Sequence, residues 1–199
     1  GDILMMTRDQ YKKLDNNTKD QITEGTLSHA TAVKLTSNLG DAIKNLETSK
    51  TPKSDLEIVS KIINHVVSKT DLPGLDMAKL FGGSISTFYE NGDASRLGSY
   101  NQGKRNIWAI ANTDRESNRV TFQLLRWGNL EKGNKLKPTV ENLQNTFVHE
   151  EGGHYLKNLG SGREDHIKVY KYQMSHSTWV GTTPYFKQFI RERMKEYEN

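Results

Sequence analysis

The sequence predicts an α+β fold that is mainly helical and contains a small β-hairpin or sheet. Apolar residues recur at helical spacing in the first 70 residues and again after residue 139. Between these regions lie two segments rich in β-branched and aromatic residues, Ile107–Ala111 and Val120–Trp127. No repeat or low-complexity linker divides the chain, and one hydrophobic core can serve this length. We therefore expect a single domain over residues 1–199.

The N-terminal part, about residues 20–70, is predicted to be helical. Apolar residues at helical spacing indicate a first helix over about 27–46 and a second over about 56–67. Ser54 or Asp55 is the expected N-cap of the second helix, which ends before Pro73.

The middle of the chain is predicted to form a β-hairpin over about residues 106–127. Its strands are expected at Ile107–Ala111 and Val120–Trp127, and the polar segment Asn112–Arg119 is expected to connect them.

The remaining part, about residues 139–199, is predicted to be helical. Thr139 is a good N-cap for a helix that ends at Gly160–Gly162. Another helix follows over about Arg163–Ser175, and a last amphipathic helix begins at Thr183 or Pro184. Alternating basic and acidic residues in this last helix indicate a solvated face.

Composition excludes several kinds of site. The chain has no cysteine, so any zinc must be bound by His, Asp or Glu, and there is no thiol nucleophile. The 28 basic and 24 acidic residues are interspersed, so we do not expect nucleic acid as a partner despite the net charge of +4. No apolar stretch approaches the length of a membrane span or a signal-peptide core. We therefore expect no membrane segment and no signal peptide in this chain.

Four of the six histidines lie between His149 and His176. The first two belong to the segment HEEGGH, in which His149 and His154 are five positions apart. On an ideal α-helix this spacing separates the side chains by roughly 140°, too far to share an ion. A π-type distortion absorbs one residue and restores a shared face. Gly152–Gly153 supplies a pliable backbone for it, at a cost of about 1 kcal/mol for each glycine.

The HEEGGH segment, with a Gly directly before its second His, resembles the HELLGH-type motif of the dipeptidyl-peptidase-III family of zinc peptidases. The resemblance covers these six positions. It implies that His149 and His154 bind Zn²⁺ and that Glu150 is the base. It also implies a zincin-like metallopeptidase architecture.

A third metal ligand is expected from the helix that follows Gly160–Gly162, because catalytic zinc sites keep three protein ligands and an open position. That helix presents His166, which we favour, and Glu164 as the alternative ligand. His176 lies beyond the helix and fits a transition-state hydrogen-bond donor or a fourth ligand. Tyr170, one turn after His166, is a further candidate for stabilising an oxyanion.

These residues predict metal-assisted hydrolysis. Zinc lowers the pKa of a bound water towards ~7, and Glu150 accepts the proton and passes it to the leaving amine. The hairpin strands offer an edge along which an extended chain can lie, so the expected substrate is a protein or peptide.

Both ends of the chain carry a second resemblance. It rests on the opening GDILMMT with Tyr11, and on the following residues of the tail between His149 and Tyr197: Tyr170, Gln173, His176, Trp179, Thr182, Thr183 and Phe186. They resemble the C-terminal toxin modules of bacterial Rhs-type and other polymorphic-toxin proteins. In those modules a helix bearing HE and His precedes an AY-x-x-Q-x-x-H segment and a Thr-Thr stretch. A Glu often occupies the position of His166, and Val169 here replaces the Ala.

This resemblance implies a toxin effector that is secreted or delivered into a target cell as part of a larger bacterial protein. It also implies a neutralising immunity protein as a partner. The first residue, Gly1 rather than Met, favours a piece of a longer chain.

Two other functions remain open from the sequence. A metal-dependent nuclease toxin agrees with the basic balance, although Mg²⁺ and Mn²⁺ sites prefer carboxylates to a three-histidine set. The other is a non-catalytic interaction domain with incidental histidines. In that case Gly152–Gly153 is a helix C-cap, His154 lies in a loop, and the two imidazoles do not converge.

Overall fold

The computed structural model describes residues 15–17, 63–83, 85–88, 109–123, 126–127 and 135–199. Within these residues the fold is α+β with more helix than strand, as the sequence predicts. The helix predicted over about 27–46 and the opening segment GDILMMT with Tyr11 lie outside the described residues. In the described part of the chain, no helix has the length and apolar character needed to cross a membrane.

The second predicted helix is present as α1, which is described over residues 63–68. Its apolar residues Ile63, Val66 and Val67 are buried in the core. It ends before Pro73, as expected from the inability of proline to continue a helix.

The sheet has three strands in the order β1-β3-β2. Strand β1 (Ser86–Phe88) pairs in parallel with β3 (Arg119–Gln123). Strand β2 (Ala111–Asp114) pairs antiparallel with β3, with Ala111 opposite Phe122 and Asp114 opposite Arg119. The predicted hairpin is therefore confirmed. Among the described residues, β2 pairs only with β3 and forms the outer strand beside the histidine-bearing helix.

The predicted bounds of the first hairpin strand are wrong. Residues Asn112–Asp114 lie in β2, although their polarity assigned them to the connection. Along β2 the side chains change from buried at Ala111 to exposed at Asp114. This outer strand therefore does not need the apolar alternation of a core strand. The second strand is described over Arg119–Gln123, and Trp127, its predicted last residue, forms an isolated bridge with Leu136 outside it.

The helices at the C-terminal end begin where their caps predict. Helix α2 (Val140–Phe147) starts after Thr139, whose hydroxyl accepts a 3.1 Å hydrogen bond from the Asn142 amide. Thr183 caps the last helix in the same way. The buried Asn142 side chain also donates to the Thr183 hydroxyl and accepts from its amide, at 3.0 Å each. Each threonine cap stabilises its helix by about 1 kcal/mol, and Asn142 joins the two helix starts.

Helix α3 (Arg163–Ser175) and helix α4 (Pro184–Glu198) follow, joined by a 3₁₀ segment at Ser177–Gly181. The bounds of α3 and the start of α4 agree with the sequence prediction. Helix α3 packs between α4 and the segment that follows α2, so residues from three helical elements meet at one place. The largest fully buried side chains of the described core are Trp127, Phe122, Phe147, Phe186, Ile63 and Leu80.

Candidate metal centre

Helix α2 continues without a break into a π-helix at Val148–Leu156, which contains the whole HEEGGH segment. Its hydrogen bonds span five residues, as in the 2.9 Å bond from the Lys157 amide to the Gly152 carbonyl. A π-helix has more residues per turn than an α-helix, so side chains five apart share a face. The hypothesis of a π-type distortion is confirmed. The alternative in which Gly152–Gly153 is a C-cap is wrong, because both glycines are buried inside the helix.

The π-helix ends earlier than the sequence predicts. Its last residue is Leu156, and Asn158 follows with a φ of 55°, the left-handed conformation that closes many helices. The predicted end at Gly160–Gly162 instead belongs to the loop that reverses the chain into α3.

Three imidazoles form a compact triangle. The ring centroids of His149 and His154 are 5.0 Å apart, those of His149 and His166 are 5.2 Å apart, and those of His154 and His166 are 5.0 Å apart. One ligand nitrogen from each ring lies within 4.8 Å of the other two. His149 and His154 are buried and His166 is partly buried. The three residues are therefore placed to bind a metal ion.

The two glycines allow α3 to approach the π-helix closely. A Cβ added at Gly153 would lie 2.6 Å from Val169 Cγ1, and one added at Gly152 would lie 2.9 Å from Tyr172 Cε1. Both contacts are shorter than real carbon atoms tolerate, so a larger residue at either position requires the facing side chain or α3 to move. His166 lies one turn before Val169 on α3, and the close packing brings its imidazole to the triad. The glycines thus have a packing role in addition to the predicted flexibility.

Hydrogen bonds to backbone and amide oxygens orient two of the imidazoles. The Nδ1 of His154 is 2.8 Å from the Leu159 carbonyl oxygen, and the Nδ1 of His149 is 2.8 Å from Gln173 Oε1. Because a carbonyl oxygen can only accept, each Nδ1 carries the proton and each Nε2 presents a lone pair. Such outer hydrogen bonds are typical of metal-binding histidines. The Nε2 of His149 lies 3.2 Å from the Nε2 of His166.

Burial keeps the imidazoles of His149 and His166 neutral. Burial is the main cause that lowers the pKa of His149 well below 6.5, and the neighbouring His154 and His166 lower it further. Burial is also the main cause that lowers the pKa of His166 to about 3, and the charges of His154 and Arg193 contribute to this lowering. Both rings are therefore uncharged at neutral pH and need not lose a proton when a metal binds.

Glu150 lies next to the triad with its side chain almost completely buried. Its Oε2 accepts a 2.5 Å hydrogen bond from the Thr113 hydroxyl of β2. Burial raises the pKa of Glu150 above 4.5, while the charge of His154 and the Thr113 hydrogen bond act in the opposite direction. A carboxylate with a raised pKa is a better proton acceptor near neutral pH.

The triad and Glu150 line one cavity of about 870 Å³. Strand β2 contributes Asn112 and Thr113 to its wall. Tyr170 stacks on His166 with the rings 4.9 Å apart and nearly parallel. Burial raises the pKa of Tyr170, so its hydroxyl keeps its proton. The cavity is large enough for a short peptide segment.

The structure does not bring the other two predicted residues to the triad. Glu164 is exposed in the first turn of α3, where a carboxylate is favoured by the helix dipole. His176 lies at the end of α3 and does not line the cavity. Its Nε2 donates to the Asp71 carbonyl at 2.6 Å, and its Nδ1 is 2.9 Å from the Thr178 hydroxyl. Both of its nitrogens thus connect α3 to neighbouring backbone and side chains.

The site also contains residues that the sequence did not indicate. Thr113 was assigned to a connection, and its contact with Glu150 joins residues far apart in the chain. Arg193 and Tyr197 lie one turn apart on α4 and line the cavity, and the Tyr197 ring is 4.3 Å from that of His166. The alternating charges of α4 predicted a solvated face, so the sequence did not indicate that Arg193 and Tyr197 belong to the site. The i,i+4 spacing of Arg193 and Tyr197 was the available signal.

Glu151, the second acidic residue of the motif, lies away from the cavity. It is 1 % exposed and hydrogen-bonded to Asn118 in the hairpin turn. Burial raises its pKa to about 7, and the Asn118 hydrogen bond works against this rise. Glu151 therefore connects the π-helix to the hairpin.

Comparison of the chain with models of protein families, with curated proteins and with solved structures gives no match.

Proposed function

We propose that this protein is a zinc-dependent hydrolase, and specifically a metallopeptidase of zincin-like architecture. The proposal is carried by the set of three imidazole nitrogens within 4.8 Å of one another, with the buried Glu150 carboxylate on the same cavity wall. Three imidazole nitrogens and a neighbouring carboxylate are the groups of a catalytic zinc site with an open position.

The dimensions and chemistry of the triad fit zinc. Two ligands of a tetrahedral zinc ion with Zn–N distances of about 2.0–2.1 Å are roughly 3.4 Å apart. The Nε2 atoms of His149 and His166 are 3.2 Å apart, close to this value. Imidazole nitrogens suit zinc, whereas Mg²⁺ and Ca²⁺ prefer oxygen ligands.

The surrounding residues have complementary roles in amide hydrolysis. A bound zinc ion supplies Lewis acidity and an acidified water. Glu150 holds a proton during the reaction, and the Thr113 hydroxyl fixes the orientation of its carboxylate. The neutral Tyr170 hydroxyl lies in the same cavity as a hydrogen-bond donor for negative charge that develops on the substrate oxygen. The outer strand β2 offers backbone groups to an extended peptide.

We also propose that the enzyme acts as a toxin effector delivered by a larger bacterial protein and neutralised by an immunity protein. This part rests on the resemblance of the opening and tail segments to polymorphic-toxin modules. Gln173, one of the residues of that resemblance, hydrogen-bonds the proposed ligand His149.

Metal analysis and peptide hydrolysis test the proposal together. Elemental mass spectrometry should find about one zinc per chain in the wild type, and the zinc should be lost in His149→Ala, His154→Ala and His166→Ala. His176→Ala is the matched control, because this histidine lies outside the cavity.

Glu150→Gln should keep the zinc and lose hydrolysis of a denatured-protein or peptide-library substrate by about 100-fold or more. A wild type that takes up no zinc, or a zinc-loaded protein that cleaves RNA or DNA but no peptide, would contradict the metallopeptidase.

A further inference from the structure

Helix α4 places a positive charge in the wall of the cavity. Arg193 lines the cavity with the histidine triad, and its side chain is only 26 % exposed. Its ionic partner is Glu196, one turn later, with Nη1 and Oε2 3.2 Å apart. The Glu196 side chain is 62 % exposed, so water weakens this pair. Arg193 also donates a hydrogen bond to the Tyr170 hydroxyl. A guanidinium group has five N–H donors, so donors remain for a second anion.

The position of Arg193 is unfavourable for metal binding alone. Arg193 lines the same cavity as the three imidazoles and hydrogen-bonds Tyr170, whose ring stacks on His166, so its charge lies close to the triad. A cation at this place repels a divalent metal ion. An anion bound in the cavity together with the metal offsets that repulsion, which gives the arginine a function in ligand binding.

The chemistry of the wall indicates a carboxylate. A guanidinium group presents paired N–H donors that match the two oxygens of a carboxylate. Glu150 and Glu196 line the same cavity and repel a polyanion such as nucleic acid. The aromatic rings of Tyr170 and Tyr197 flank His166 and provide apolar surface for the adjacent part of a ligand.

We propose that Arg193 forms a carboxylate-binding subsite beside the metal triad, so that the protein acts on peptides or acylated amino acids with a free carboxylate close to the scissile amide. This inference rests on the proposed function: cleavage requires the hydrolase, whereas the binding of a carboxylate beside the metal requires only its zinc.

A pair of thiol probes tests the subsite. Mercaptoacetyl-alanine and its amide both carry a thiol that binds zinc, and they differ only in the carboxylate. Calorimetry on the zinc-loaded wild type should show that the acid binds at least tenfold tighter than the amide. The preference should disappear in Arg193→Gln. Arg191→Gln is the matched control, because Arg191 lies on the same helix over Trp179 and does not line the cavity.

A third probe, with an aspartate side chain in place of the terminal carboxylate and an amidated end, distinguishes the source of the carboxylate. Tight binding of either acidic probe supports the subsite. Equal affinity of the wild type for acid and amide probes, including no binding of any probe, would overturn it without any variant. A preference that persists in a folded Arg193→Gln would also overturn it.

The outcomes of these experiments distinguish the two proposals. A protein that binds no zinc refutes both, because the thiol probes then have no metal to bind. A zinc protein that cleaves peptides but binds acid and amide equally refutes only the carboxylate subsite. A zinc protein that prefers the acid but cleaves no peptide keeps the subsite and refutes the peptidase.

Discussion

The packing of α3 against the π-helix gives a quantitative prediction for Gly153→Ala. The new Cβ would lie 2.6 Å from Val169 Cγ1 and 3.1 Å from Val169 Cγ2. Ordinary carbon contacts are about 3.5–4.0 Å, so α3 must move away by roughly 1 Å. His166 lies one turn before Val169 on this helix and moves with it. Such a displacement of a metal ligand should lower zinc affinity by about 10- to 100-fold.

The same change should have a smaller effect on stability. Overpacking costs about 1–3 kcal/mol, and replacing an interior helical Gly with Ala recovers about 1 kcal/mol. The net loss in the free energy of unfolding of the metal-free protein is therefore about 0–2 kcal/mol. Competition titration with a zinc chelator measures the affinity, and urea denaturation measures the stability.

Two further variants test whether the contact between residue 153 and Val169 causes the loss of zinc affinity. Gly162→Ala is the control, because a Cβ there meets no atom within 4 Å, and it should leave zinc affinity unchanged. Gly153→Ala combined with Val169→Ala removes the clashing methyl groups and should restore most of the affinity. If Gly153→Ala alone binds zinc as tightly as the wild type, the close packing of α3 does not position His166.

Three other predictions concern the groups around the triad. Gln173→Ala removes the hydrogen-bond acceptor for His149 Nδ1 and should weaken zinc binding by about 10- to 100-fold. Gln173→Glu keeps an acceptor and should retain the affinity. Equal losses in both variants would contradict a role of Gln173 in orienting His149. Thr113→Val removes a hydrogen bond that favours the ionised form of Glu150, so the pKa of Glu150 should rise further. The acidic limb of the kcat/KM profile should therefore move to higher pH. Thr113→Ser keeps the hydroxyl and should leave this limb in place. Because burial lowers the folded pKa values of His149 and His166, these two rings stay neutral as the pH falls from 7.0 to 5.5. Zinc affinity should therefore decrease by no more than about tenfold over this range, whereas two imidazoles with an ordinary pKa of 6.5 would alone lose about 100-fold at pH 5.5. A loss of that size in chelator titrations at each pH would count against neutral His149 and His166 rings.

The sequence predicted the elements whose signals are local. Thr139 and Thr183 mark helix starts because their hydroxyls cap amides a few residues later in the chain. The two strands of the hairpin follow from β-branched and aromatic residues, although β2 extends into polar residues that a propensity argument places in the connection. The actual bounds depend on pairing with β3, which is a contact between different segments.

The sequence identified two members of the candidate ligand set and a short list for the third. Two histidines five apart with glycines between them imply a π-helix if both face one ion, and His166 was the favoured third member. The tertiary structure brings His166 to the other two histidines and keeps Glu164 and His176 away from them. That choice depends on how closely α3 packs over Gly153, which is set by side chains on two helices at once.

The tertiary structure also decided the contents of the cavity beyond the ligands. Thr113 on β2 reaches Glu150, and Arg193 on α4 lines the wall near His166, although each is remote from the motif in sequence. A spacing rule describes side chains on one helix and contains no information about contacts between elements. The sequence therefore indicated which residues can bind a metal. The packing of α3, α4 and β2 determined the surroundings of these residues, because burial and charge at the site come from all of these elements together.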